Sequence, residues 1–190
     1  MCIRDRDKRE AEDLLDFVAM ATVCDVMSLT GENRILVKEG LKRIRHTKNI
    51  GLQALMQACN VQPENISAYH FGYVLGPCVN ATGRLDTARH ALRLFETGQE
   101  TEAEEIARDL VDLNQERKEL TLQGVEMAKK LCEEGGYEND PVLVLFLPDV
   151  HESIAGLIAG RIREMYNRPV FVLTRGEEGV KGSGLSLIHI

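Results

Sequence analysis

Residues 142–174, "VLVLFLPDVHESIAGLIAGRIREMYNRPVFVLT", decide the fold class. A continuous apolar run, 142–147, and a second strand-like stretch, 168–174, flank a segment, 153–166, whose apolar residues recur at helical spacing. Short runs of Val, Leu and Phe of this kind read as strands buried on both faces. Strand, helix and strand in that order predict a parallel strand pair with a right-handed crossover. "GVKGSG" at 179–184 begins a third strand. The chain therefore ends in an α/β part.

Upstream the period is helical. Residues 8–21 place Leu14, Leu15, Val18 and Ala19 on one side of a helix that stops within "TVCDVMSLTGENR". Thr30 or Gly31 caps the next helix, which runs through "RILVKEGLKRIRH". Asn49 caps a third, and Pro63 opens a fourth that lasts to about Leu75. "GPCVNATGRLD", 76–86, has the Gly and Pro of a loop but few charges. After it, "DTARHALRLFET" is helical and ends at Gly98. Residues 99–134 contain no proline and one glycine, and carry a partial apolar stripe. They predict one long helix joining two bodies, a bundle helix being the plainer alternative.

The composition narrows the function. A net charge of −7 argues against a protein that coats nucleic acid by bulk charge, though not against a local basic groove. Five scattered cysteines without a C-x-x-C pair predict no zinc knuckle or disulfide frame, and fit a reducing cytoplasm. No apolar run is long enough to span a membrane. The terminal stretches "MCIRDR" and "LSLIHI" do not continue the patterns beside them, and residues 1–6 and 185–190 read as non-native ends.

Four stretches could carry chemistry. Asp25 follows an apolar helix amid Val23, Val26 and Leu29, where a carboxylate is either a helix-end residue or a metal ligand. In "GPCVNATGRLD", Gly83 lets a partner approach the backbone, and Arg84 offers a planar fork for phosphate with Asn80 beside it. The alternative is a plain turn with Arg84 paired to Asp86. His151 opens a helix after a strand, a place where α/β folds bind ligands. Gly156 and Gly160 then allow close packing or close approach, and Arg161 lies one residue off that face. A histidine cap with packing glycines explains the same residues. "KGSG", with Lys181 and Ser183, forms a glycine-rich turn able to cradle phosphate, yet lacks the P-loop pattern.

Taken in order and spacing, "TVCDVMSLTGENR", "FGYVLGPCVNATGRLDTA", "HESIAGLIAGRIREMYNRPVFVLT" and "KGSG" resemble the RecJ family of single-strand-specific DNA exonucleases in the DHH phosphoesterase superfamily. The resemblance covers nearly all of residues 7–184. It implies that residues 7–98 are the mostly helical C-terminal part of a DHH domain, 99–135 a long connecting helix, and 136–184 part of a DHH-associated domain. It implies Mn²⁺ or Mg²⁺ as cofactor, with Asp25 as a metal ligand and catalytic residue and His151 as a second catalytic residue. Asn80, Arg84, Gly156, Arg161, Lys181 and Ser183 would meet the nucleic acid or its phosphates. The substrate would be single-stranded DNA, cut 5′ to 3′ in repair and recombination, with a repair helicase or single-strand-binding protein as expected protein partner. Departures are also visible. The family's upstream aspartate and Asp-His-His motifs have no counterpart here, and Leu185 stands where an arginine usually follows "KGSG". The chain alone is therefore expected to be inactive. The alternatives within reach are another DHH hydrolase acting on short oligonucleotides or cyclic dinucleotides, and a catalytically dead single-strand-binding relative.

Overall fold

The computed structural model describes residues 14–85, 88–176 and 179–187, with the side chains of residues 84, 85 and 138 outside that description. Residues 8–13 of the first expected helix, Asp86, and residues 1–6 and 188–190 of the expected foreign ends lie outside the described residues. The chain divides into two compact units, 1–114 and 115–190.

The first unit is helical. Helix α1 (Leu15–Cys24) packs on α2 (Gly31–Arg43). The buried residues of α1 are Asp16, Ala19 and Met20, whereas Leu14 and Val18 are exposed. The expected apolar stripe is thus rotated, because Asp16 turns inward to a specific partner. Its Oδ2 accepts the hydroxyl of Thr47 at 2.7 Å, and its Oδ1 accepts the Phe17 amide at 2.9 Å. A buried carboxylate is tolerable when its lone pairs are used in this way. Asn49 caps α3 (Ile50–Ala58) as its sequence position predicts, accepting the Leu52 amide at 2.9 Å.

Next come short turns at Pro63–Asn65 and Ala68–His70, a π-helical segment at Phe71–Leu75, and α4 (Gly76–Leu85). Ser67 and His70 close a capping box at the start of this run. The expected loop at 76–86 is therefore corrected: its described part is helix. Glycine and proline are tolerated there for local reasons. Gly76 donates its amide to the Phe71 carbonyl five residues back, so the regular ladder is already loosened where Pro77 removes a donor. The Cys24 thiol donates to the same carbonyl at 3.4 Å. A Cβ at Gly76 would lie 2.4 Å from Cys24 Sγ, so the glycine serves close packing and not a turn.

Helix α5 (Ala88–Glu96) leads to α6 (Glu100–Gly135), 36 residues and about 54 Å long. Residues 100–114 of α6 belong to the first unit, whose core includes Leu52, Leu55, Phe71, Leu75, Leu94 and Leu110.

The second unit begins with residues 115–135 of α6. Strands β1 (Leu143–Phe146) and β2 (Val170–Gly176) are parallel, with α7 (Ala155–Tyr166) between them in sequence. Strand β3 (Gly179–Leu185) pairs antiparallel with β2, giving the order β1-β2-β3. Leu143, Leu145, Val170 and Val172 pack with Ile158 and Ile162 of α7. The expectation of strands buried on both faces is corrected: Val144, Phe146 and Phe171 are exposed. An apolar run reveals a strand, but not whether a second layer covers it. Among the described residues no helix is long and apolar enough to cross a membrane.

Candidate functional site

Asp25 is the C-terminal cap residue of α1, and it is exposed. The chain turns sharply behind it. Val26 adopts φ 55°, a left-handed conformation that costs a β-branched residue about 1–2 kcal/mol. Two backbone bonds hold it there, Val26 N–H to the Val23 carbonyl at 3.1 Å and Met27 N–H to the Thr22 carbonyl at 3.1 Å. This is a Schellman ending with valine in the place glycine usually takes. Strain of this kind tends to be kept where a side chain must be aimed. Cys24, half-buried beside Asp25, has its thiol pushed up by burial and further by the Asp25 charge.

Helix geometry explains the spacing within α4. Positions 80, 83 and 84 are three and four residues apart, so they share one stripe of the helix. Asn80 and Gly83 are exposed, and a Cβ at Gly83 would meet nothing within 4 Å. Packing therefore does not demand a glycine there. The opposite stripe, Cys78, Ala81 and Thr82, is buried. Arg84 occupies the last turn, and its side chain lies outside the described residues.

In the second unit three of the expected residues come together. A Cβ at Gly156 would lie 3.1 Å from Ser183 Oγ, so the first turn of α7 stands against β3 with little bulk between. One turn on, a Cβ at Gly160 would lie 3.6 Å from Leu185. Lys181, on the same face of β3 as Ser183, pairs with Glu152 at 2.8 Å. Glu152 was not anticipated from sequence, where nothing ties it to a lysine 29 positions away. The pair is exposed and adds little stability.

His151 precedes the short turn Glu152–Ile154 that runs into α7. Its Nδ1 accepts the Ser153 amide at 3.3 Å and faces the Ser153 hydroxyl at 2.7 Å. Accepting an amide requires an unprotonated Nδ1, so the neutral ring carries its proton on Nε2. Nε2 makes no hydrogen bond among the described residues, and the side chain is exposed. The histidine is thus both a cap and an outward-facing N–H donor.

Arg161 is placed by other neighbours. It lies 3.9 Å from Glu164 and lines a cavity of about 560 Å³ with Arg117, Lys118, Thr121 and Leu157. Arg117 and Lys118 were missed by sequence reasoning, although two adjacent cations in a largely acidic helix were a signal.

No family model matches the chain. It is 37% identical over 181 residues to the RecJ single-stranded-DNA-specific exonuclease of Haemophilus influenzae, a match covering 92% of this chain and 31% of that protein. The corresponding protein of Escherichia coli is 38% identical over 181 residues, with the same shares of 92% and 31%. Among solved structures, RecJ from Thermus thermophilus with Mg²⁺ superposes with a TM-score of 0.80 at 35% identity, covering 94% of this chain and 27% of that one. The match is to RecJ. A manganese-bound RecJ exonuclease gives a TM-score of 0.81 at 35% identity, covering 94% of this chain and 44% of that chain. The mixed helix-and-sheet architecture is thus that of RecJ, and the chain spans about a third of the length of the curated RecJ relatives it matches.

Those RecJ structures hold Mg²⁺ or Mn²⁺. Among the described residues of this chain, no group of three or more His, Cys, Asp or Glu side chains could hold a metal ion. Asp25 belongs to no such group, so the described residues do not supply a metal centre by themselves.

Proposed function

We propose that this chain is the segment of a RecJ-type exonuclease that carries its nucleic-acid-facing helix and its phosphate-facing strand–helix junction. The whole protein would hydrolyse phosphodiester bonds of single-stranded DNA from the 5′ end, in the cytoplasm and in the service of repair and recombination. The observation that carries this reading is the bare backbone where Gly156 meets Ser183, next to the helix start that His151 caps. The Gly156 backbone and the Ser183 hydroxyl pack against each other and leave a low edge on which a phosphate can rest, and a histidine whose Nδ1 is engaged by Ser153 can donate from Nε2 to a non-bridging oxygen as negative charge grows in the transition state.

Each residue then has a separate task. Asp25 would contribute one carboxylate to a Mn²⁺ or Mg²⁺ site whose other ligands lie in the part of the relatives' length that the chain does not match. Asn80 and Arg84 would follow the strand along α4, with Gly83 keeping the wall low between them. Ser183 and Gly156 would seat the phosphate. Lys181 would exchange Glu152 for it, and Arg161 would add charge from its own groove. A helicase that opens duplex, or a protein that covers single strands, is the expected protein partner.

The test uses a protein carrying this segment together with the remainder of the relatives' length. Nucleotide release from end-labelled single strands is measured in Mn²⁺. His151→Gln and Asp25→Asn are each expected to lower the rate about 10²-fold or more, with the fold intact by circular dichroism. The isolated 190-residue chain is expected to release none. Wild-type rates in both variants would remove these residues from the chemistry.

A further inference from the structure

The end of α2 and the turn after it concentrate positive charge in an acidic chain. Between residues 38 and 48 stand Lys38, Lys42, Arg43, Arg45 and Lys48 against the single acid Glu39, while the whole chain carries −7. Lys42, Arg45, His46 and Lys48 are exposed. A cavity of about 600 Å³ opens beside them, lined by Lys42, Arg43, His46, Thr47, Lys48 and the buried Asp16, with Arg45 on the turn outside its lining.

The plain explanation covers only part of this cluster. Lys42 and Arg43 sit in the last turn of α2, where cations offset the carbonyl end of the helix. Lys42 also pairs with Glu39 at 2.7 Å. Arg45 and Lys48 lie beyond that turn and gain little from it. The turn that carries them is held in place. The Thr47 hydroxyl donates to Asp16 at 2.7 Å, the Thr47 carbonyl accepts Gln53 Nε2 at 2.6 Å, and Asn49 Nδ2 donates to the Phe95 carbonyl at 2.8 Å. Three exposed cations beside a roomy groove, Lys42 at the helix end and Arg45 and Lys48 on the pinned turn, form a preorganised surface for a polyanion.

We infer that this groove binds the phosphate backbone of a nucleic-acid strand, as a site separate from Asp25, from the α4 stripe and from the Gly156–Ser183 junction. The choice of a nucleic acid over another polyanion rests on reading the chain as part of a strand-processing enzyme. The groove would hold the strand by charge, without reading its sequence.

The experiment measures binding of a fluorescein-labelled 30-nucleotide thymidine strand to the 190-residue chain from 50 to 300 mM salt. The variant K42Q/R45Q/K48Q keeps polar side chains with part of the aliphatic stem and removes three charges; K129Q/K130Q on α6 removes two charges elsewhere. A cation that no longer meets a phosphate lowers the salt slope by about 0.7, so the triple variant is expected to drop by about 2 in slope, while the α6 variant keeps the wild-type value. An unchanged slope in the triple variant overturns the inference. So does an equal drop per charge in the α6 variant, which would mean bulk charge alone, and so does no binding by the wild type. Arg161→Ala, measured in parallel, separates this site from the proposed function. Weaker binding with Arg161→Ala but not with the triple variant refutes the groove and spares that reading; the reverse supports the groove and weakens the reading.

Discussion

Met27 donates its backbone N–H to the carbonyl of Thr22 at 3.1 Å, closing the chain behind Asp25 and holding Val26 at φ 55°. The side chain of Val26 is 88% exposed, so it gains almost nothing by burial in return for the strain. Val26→Gly is therefore expected to raise the stability of the chain by about 1 kcal/mol, seen as a higher urea midpoint at unchanged slope. A lower midpoint would mean that the valine side chain, which borders a groove with Tyr69 and Tyr73, makes a contact that outweighs the strain.

Gly83 poses the opposite trade. It sits inside an α-helix and no neighbour demands its lack of a side chain. Gly83→Ala should stabilise the helix by about 0.5–1 kcal/mol. If the α4 stripe is a strand-binding wall, the same change should weaken single-strand binding by the whole protein several-fold. Stabilisation with unaltered binding would leave the wall without support.

Thr47 and Asp16 are both buried and satisfy each other. Thr47→Val keeps the shape but removes the hydroxyl that donates to Asp16 and accepts the Asn49 amide, so a buried carboxylate oxygen loses its protein donor. The expected destabilisation is about 1–3 kcal/mol by urea unfolding. A neutral outcome would mean that a water from the groove Asp16 lines takes the place of the hydroxyl.

The Arg93 guanidinium grips Glu102 through both oxygens, at 2.7 and 3.0 Å, and the Thr97 hydroxyl also donates to it. Together they hold the Glu102 carboxyl below the usual carboxylate range, the arginine contributing most. A depressed folded-state value means that the stabilisation is present above the unfolded carboxylate's value and is lost as pH falls through the folded one. The urea midpoint of the wild type should therefore fall on acidification below the ordinary carboxylate range, and Glu102→Gln should flatten that fall. Parallel pH curves would show that this surface pair contributes nothing.

Much of the fold was legible because its signals are local. Asn49 lies three residues before the amide it caps, and 99–134 has the unbroken helical pattern that α6 realises. The strands announced themselves by a change of period after Gly135. What escaped depended on distant partners. Asp16 turns α1 inward because of Thr47, 31 residues away, which no periodicity encodes. Gly76 and Pro77 spelled a turn, yet Cys24 and the carbonyl of Phe71 make them part of a helix. Of the candidate residues, Gly156, Lys181 and Ser183 are brought together by the packing of α7 on β3, which the order of elements did not foretell because it left the direction of the third strand open. Glu152 was hidden because only the antiparallel return of β3 brings Lys181 beside it.

The π segment at Phe71–Leu75 carries one residue more than a regular turn needs, and every later position inherits the resulting phase. Wound as ordinary α-helix, at about 100° per residue, the same residues would carry all that follows about 100° further round. Asn80 would then screw round toward the interior, and Val79 would be turned out toward water. The widened turn works as a shim: it absorbs the surplus residue and sets which flank of α4 the solvent sees, so a one-residue deletion between 71 and 75 should leave that flank in place, whereas a one-residue deletion early in α4 should turn it.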